Sequence, residues 1–195
     1  MVDVRRAGFT HGALTGDLVT RGPRPEEVVQ RVLALGWPCV QGNTDRRLLD
    51  TPRLADHPRA ARPGGRRWTR LRVSNAGMRF LAGLPATRTL QVGAAQVLVA
   101  HEGPNGPGHL LGDAPSPATV AAEAERQGVD ALVLGHTHQP LVVRSDAAVL
   151  VNPGSVGEGT ADDRRPSWAW LAWDGGRLVA GLERVELPLA SVRER

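Results

Sequence analysis

Four apolar runs in this chain end in the same manner, and no other feature narrows its fold as far. The run ALVLGHTHQP, residues 131–140, stops at Gly135 and then offers two imidazoles, His136 and His138, one residue apart. GALTGD ends at Asp17, PCVQGN at Asn43 and QVLVAH at His101. A short apolar strand that stops at a small residue is how an open α/β sheet delivers side chains to the crevice beyond its strand ends. One histidine in such a place is commonly a hydrogen-bonded residue and nothing more. Carboxylate, amide and imidazole groups at four strand ends form a donor set suited to a divalent transition metal.

The segments between these ends supply the rest of an α/β pattern. VDVRRAG reads as the tail of a helix that stops at Gly8, and FTHGALT as a short strand ending at Gly16 and Asp17. PEEVVQRVLALG predicts a helix, with Pro25 at its first position, Glu26 and Glu27 in the first turn, Val28, Val29, Val32 and Leu33 on one face, and Gly36 as the stop. WPCVQ then predicts a second strand, and strand, helix, strand is the grammar of a parallel sheet. Residues 46–85 loosen into a variable, lid-like insertion within one domain spanning 1–195, with a short helix over MRFLAGLP. At its centre RPGGRRWTRLRV sets arginines beside Trp68, a combination that could contact nucleic acid, although composition favours a solvated loop or lid. TLQVGAAQVLVAH predicts a hairpin, and SPATVAAEAERQG a helix capped by Ser116, with Pro117 at its first position and Gly128 as its stop. LVVRSDAAVLVNPG and PSWAWLAWDGGRLVAGLERVELPL predict two more hairpins, the last turning at Asp174, Gly175 and Gly176. Three hairpins after a parallel half indicate a mixed sheet or two stacked sheets.

Composition bounds the function classes. A chain of 195 residues with 41% hydrophobic content can bury a core as one domain. No apolar run approaches the roughly 20 residues of a membrane span, and MVDVRRAG has charge but no apolar segment behind it, so the reading is cytoplasmic, with no membrane partner. Cys39 is the only cysteine and lies in an apolar run, which excludes a disulfide and predicts a buried thiol. All 24 basic residues are arginine. A net charge of +4 is too small to argue for nucleic acid by itself, but suits an anionic substrate.

Taken in order, GDLVTRGP, GNTD, the strand ending at His101, GHTH and NPGSVG resemble the motif series of the calcineurin-like metallophosphoesterases, particularly the small bacterial and archaeal phosphodiesterase-type branch. The resemblance runs from about Gly8 to Leu171. It implies a four-layer α-β-β-α sandwich with two mixed sheets and a two-metal site at the strand ends. It also implies Asp17 as the carboxylate bridging both metals, Asn43, His101 and His136 as the remaining ligands of the second metal, and His138 as a ligand of the first. Two cations about 4 Å apart can clamp a phosphate and lower the pKa of a water between them, so the activity implied is phosphoester hydrolysis, with Asp17, Asn43 and His101 at the reacting centre. The substrate would be a phosphorylated small molecule or a phosphodiester, nucleic acid entering only as substrate. Mn²⁺, Fe and Zn²⁺ all fit such oxygen and nitrogen donors.

The chain departs from that family in two places. The first motif, Asp-x-His, is missing: Asp3 is followed two residues later by Arg5, and His11 is preceded two residues earlier by Phe9. A parallel crossover needs about a dozen residues or more, and only 16 precede Asp17. The expectation is that Met1 falls inside the first helix and that the first strand and the start of that helix lie outside the given chain. The first metal site would then have two protein ligands and the second four, so the chain would hold two divalent ions or only one. The second departure is Thr44, where many relatives have a histidine able to protonate the leaving group; a threonine hydroxyl does not do this near neutral pH.

Other residues are read as follows. Arg21 is a candidate phosphate contact or a solvated loop charge. Asp45 orders its own loop, His57 and His109 are surface residues of turn-rich loops, residues 152–157 form a structural turn beside the site, and the tryptophans at 168, 170 and 173 pack strands. The competing functional reading is a catalytically weakened or inactive binding or scaffold module on the same fold, similar to the retromer-subunit branch, because of the missing motif and Thr44.

Overall fold

The computed structural model describes residues 2–50, 61–103 and 114–186. In chain order these form helices α1 (Val2–Arg6), α2 (Pro25–Leu35), α3 (Asn43–Leu49), α4 (Arg66–Arg70) and α5 (Asn75–Ala82), then strands β1 (Thr87–Val92) and β2 (Ala95–Ala100). Helix α6 (Pro117–Gln127) follows, then β3 (Ala131–Val133), β4 (Leu141–Arg144), β5 (Val149–Asn152), β6 (Ser167–Asp174) and β7 (Arg177–Arg184). The predicted helices form where their end signals stand. Pro25 opens α2 and Gly36 closes it in the left-handed conformation, while the Ser116 side chain accepts from the Thr119 N–H at the start of α6 and a left-handed Gly128 ends it.

The fold is mixed α/β. Five strands form a sheet in the order β1-β2-β3-β5-β4. The outer pairs β1/β2 and β4/β5 are antiparallel hairpins, and the inner pairs β2/β3 and β3/β5 are parallel. The inner strands are apolar on both faces, as a sheet covered on both sides requires. On one face, Leu98, Leu132, Leu134 and Leu150 pack with Val120 and Ala124 of α6. On the other, Val97, Val99, Val133, Val149 and Val151 meet Ala169, Leu171 and Ala180 of the β6/β7 pair. The second sheet is two-stranded and antiparallel among the described residues, so the mixed character belongs to the five-stranded sheet. A third cluster joins Val29 of α2, Leu48 of α3, and Met78 and Leu81 of α5.

The two strands expected over FTHGALT and WPCVQ are reduced to a single parallel bridge, Leu14 with Cys39. The Leu14 N–H donates to the Pro38 carbonyl at 2.9 Å and the Val40 N–H to the Leu14 carbonyl at 3.1 Å. Pro38 brings no N–H of its own, so the ladder cannot lengthen on that side. His57 and His109 lie outside the described residues. Among the described residues, no helix is long and apolar enough to cross a membrane.

Candidate metal centre

The ends of β2 and β3 and the loop before α2 bring three of the anticipated donors together. His101, directly after β2, is 4% exposed. Its Nδ1 lies 2.7 Å from the Thr15 carbonyl oxygen, a contact that requires N–H at that nitrogen. Its Nε2 faces the Asp17 carboxylate at 3.3 Å and His136 Nδ1 at 3.3 Å, and the two imidazoles meet edge to face. An imidazole fixed as donor at one nitrogen presents a lone pair at the other, and a lone pair aimed at a carboxylate calls for a proton or a cation between them. A carbonyl holding the far nitrogen is the usual orienting partner of a metal-ligating histidine.

The neighbouring elements aim the other groups. The Thr44 N–H, in the first turn of α3, donates to Asp17 Oδ1 at 2.8 Å. Asn43 begins that helix, is buried, and stands between Thr44 and Gly42; a Cβ on Gly42 would strike the Asp17 N and Oδ1. Asp45 is fully buried and orders its loop as anticipated, its Oδ1 accepting from Leu18 N–H at 3.0 Å and Val19 N–H at 3.4 Å, and its Oδ2 from Gly42 N–H at 3.0 Å. The Thr44 hydroxyl is buried; it helps to lower the pKa of Asp17 without making a hydrogen bond of good geometry.

Backbone strain marks the same residues. Asp17, His136 and His138 have φ of 54°, 67° and 60°, and Thr20 and Arg21 have 92° and 62°; these five are the non-glycine residues with positive φ among those described. Such conformations cost on the order of 1 kcal/mol or more each and gather at functional sites.

His138 and Arg21 stand to one side. His138 Nδ1 is 3.2 Å from Glu158 Oε2, and Arg21 Nη1 donates to both Glu158 oxygens at 2.8 and 2.7 Å. Arg21 is therefore an ion-paired residue here rather than a free loop charge. Two contributors, Glu102 and Glu158, escaped the sequence reading, while Asn152 belongs to the turn anticipated beside the site. Glu102 follows His101 and faces both His136 Nδ1 at 3.8 Å and Arg46 at 3.3 Å; its position at a strand end was the available signal. Glu158 bridges His138 and Arg21, and no local pattern announces that. Asn152 donates from Nδ2 to the Gly135 carbonyl at 2.7 Å and to Thr137 Oγ1 at 3.0 Å, and its Oδ1 accepts the Gly154 N–H, which clamps the turn carrying both histidines.

The electrostatics follow from these contacts. Burial alone would raise the Asp17 pKa, but the hydrogen bond and charge of His101 and the Thr44 N–H outweigh it and hold it below the ordinary carboxylate value. Burial likewise opposes protonation of His101, and Asp17 more than offsets it, so that pKa is raised. His136 is pushed down by desolvation and by its neighbour His101. Burial drives Asp45 up to about 6, with the Asp17 charge adding to it. Among the described residues, no three His, Cys, Asp or Glu side chains are spaced as a finished cation cage. His101 instead turns its Nε2 to both Asp17 and His136, and carboxylate with two imidazoles is a donor set whose chemistry fits a divalent transition metal.

The model of the calcineurin-like phosphoesterase superfamily domain matches residues 2–175. Over 174 residues the chain is 26% identical to an uncharacterized protein of Methanocaldococcus jannaschii, covering 80% of this chain and 68% of that one. Over 62 residues it is 40% identical to a probable metallophosphoesterase of Methanothermobacter thermautotrophicus, covering 32% of this chain and 35% of that one. Its fold is similar to that of a hypothetical protein from Pyrococcus horikoshii, with a TM-score of 0.79 at 18% identity over 99% of this chain and 82% of that one. It is similar also to a metallophosphoesterase from Sphaerobacter thermophilus, with a TM-score of 0.68 at 24% identity over 92% and 79%. More distant is Vps29 from Entamoeba histolytica complexed with zinc, with a TM-score of 0.52 at 18% identity over 94% and 87%.

Proposed function

Because this chain belongs to the calcineurin-like phosphoesterase superfamily, we propose that it hydrolyses phosphoesters with the help of divalent metal ions, on a phosphodiester or a phosphomonoester. The observation that carries this reading is His101, its Nδ1 engaged by the Thr15 carbonyl and its Nε2 turned to Asp17 and His136. Asp17, Asn43, His101 and His136 would hold one cation, and His138, with Asp17, would serve a second. When bound, such cations lower the pKa of water and neutralise phosphate charge. The protein's own part is to keep Asp17 ionised through the Thr44 N–H and His101, and to hold His101 in one tautomer. Glu158 takes Nη1 of Arg21 alone, which would leave Nη2 and Nε to donate to a phosphate.

The test is hydrolysis of bis(p-nitrophenyl) phosphate and p-nitrophenyl phosphate by the purified protein with Mn²⁺, Fe²⁺ or Zn²⁺, beside Asp17→Asn. Metal-stimulated turnover that Asp17→Asn abolishes supports the proposal; no turnover with any of the three metals overturns it. A second reading, a weakened or inactive binding module, is favoured by Thr44, whose buried hydroxyl stands where many relatives have a histidine able to protonate the leaving group. Tight binding of metal without turnover on either ester is the outcome that selects it.

A further inference from the structure

The charge of the chain is concentrated in one stretch. Residues 57–101 contain eight arginines and no aspartate or glutamate, so with +4 overall the remainder of the chain is net −4. Among the described residues, Arg62, Arg66, Arg67, Arg70 and Arg79 form no ion pair; elsewhere the arginines are divided, Arg31, Arg144, Arg164 and Arg177 unpaired and Arg21, Arg24, Arg46, Arg126, Arg165 and Arg184 paired, so this stretch is set apart by the number of its arginines and the lack of any acidic residue among them. Helix α4 holds three of the unpaired ones within five residues, and Arg66 and Arg70, four apart, repel on one helix face. The protein keeps this repulsion without internal compensation, as a surface does when its counter-charge comes from a ligand.

This stretch is fastened to the site. The Arg21 N–H donates to the Gly64 carbonyl at 2.7 Å, and a Cβ on Gly64 would press on the Arg21 backbone. Helix α4 packs against α3, the helix that begins with Asn43, and Thr69 in the last turn of α4 is wholly buried. Two segments that carry site residues therefore hold the arginine surface in place. Beside it the Arg72 guanidinium lies 4.0 Å over the Trp68 ring, a flat cationic surface of the kind on which bases stack.

We propose that the arginine surface of residues 62–72 binds a single-stranded polynucleotide, whose phosphodiesters it presents to the metal centre. This rests on the phosphoester-hydrolase reading for the chemistry, but not for the binding. A single phosphate needs one or two guanidinium groups; a row of unpaired arginines beside a stacking surface suits a repeating polyanion with bases.

The experiment is fluorescence anisotropy with a labelled 20-nucleotide oligothymidylate in EDTA over a series of salt concentrations. It compares the wild type, Arg67→Gln/Arg70→Gln, and a charge-matched control, Arg31→Gln/Arg177→Gln, altered away from this surface. Thermal melts confirm that each variant is folded, and Arg62→Gln, at an exposed loop position, repeats the test without touching a helix. The expected result is binding that the Arg67/Arg70 variant weakens about tenfold, with the salt slope reduced by about 1, while the control behaves as wild type. Turnover of bis(p-nitrophenyl) phosphate stays unchanged in all of them. Absence of oligonucleotide binding, equal weakening by the control, or binding to phosphatidylglycerol vesicles in place of the oligonucleotide overturns the proposal. Binding without any ester hydrolysis leaves this inference standing and removes the hydrolase reading; hydrolysis without strand binding does the reverse.

Discussion

Asp45 carries more of the local structure than its neighbours in the motif, because one buried carboxylate accepts three backbone N–H groups from two loops. Asp45→Ala leaves all three without an acceptor, and urea denaturation is expected to show a loss of about 3 kcal/mol. Its pH dependence has a definite sign. The folded pKa of about 6 lies above the unfolded value of about 3.9, so the folded protein holds this proton more tightly. The resulting stabilisation is complete below about pH 4 and is lost as pH rises through about 6. In EDTA, the stability of wild type relative to Asp45→Asn should therefore fall between pH 4 and pH 7; a constant difference would contradict the assignment. Asp17 has the opposite sign, its lowered pKa adding stability that disappears as pH falls through the folded value.

Single elements deliver the site through their ends. Helix α6 is set by local chemistry: Ser116→Ala should lower stability by about 1 kcal/mol, read from the denaturation midpoint, with no effect on metal binding. The turn after β3 is set by a distant residue. Asn152→Ala removes the clamp on Gly135 and Thr137, and should cost about 2 kcal/mol and also weaken Mn²⁺ binding, measured by calorimetry, because His136 and His138 hold positive φ only while that clamp persists. Helices and hairpins were legible because caps, prolines and glycine turns act over a few residues. The strands at FTHGALT and WPCVQ were not, since a strand exists only through its partners, and here the pairing extends no further than Leu14 and Cys39.

At the level of the whole molecule, the five-stranded sheet carries the site on a core shared by two faces. Leu132→Ala, wholly buried against α6, should cost about 3 kcal/mol yet leave metal affinity intact. Mn²⁺ at 100 times its dissociation constant should stabilise the protein by about 2.7 kcal/mol, a rise of roughly 5–10 °C in Tm that Asp17→Asn abolishes. The donors at the strand ends, the helix boundaries and the hairpins could be named from residues alone, because each depends on composition within a short span. Which donors meet was a different matter. That His101 faces both Asp17 and His136, that His138 turns to Glu158, and that Arg21 is paired depend on contacts between residues 20 to 137 apart in sequence, and only a folded chain brings groups so far apart to within 4 Å.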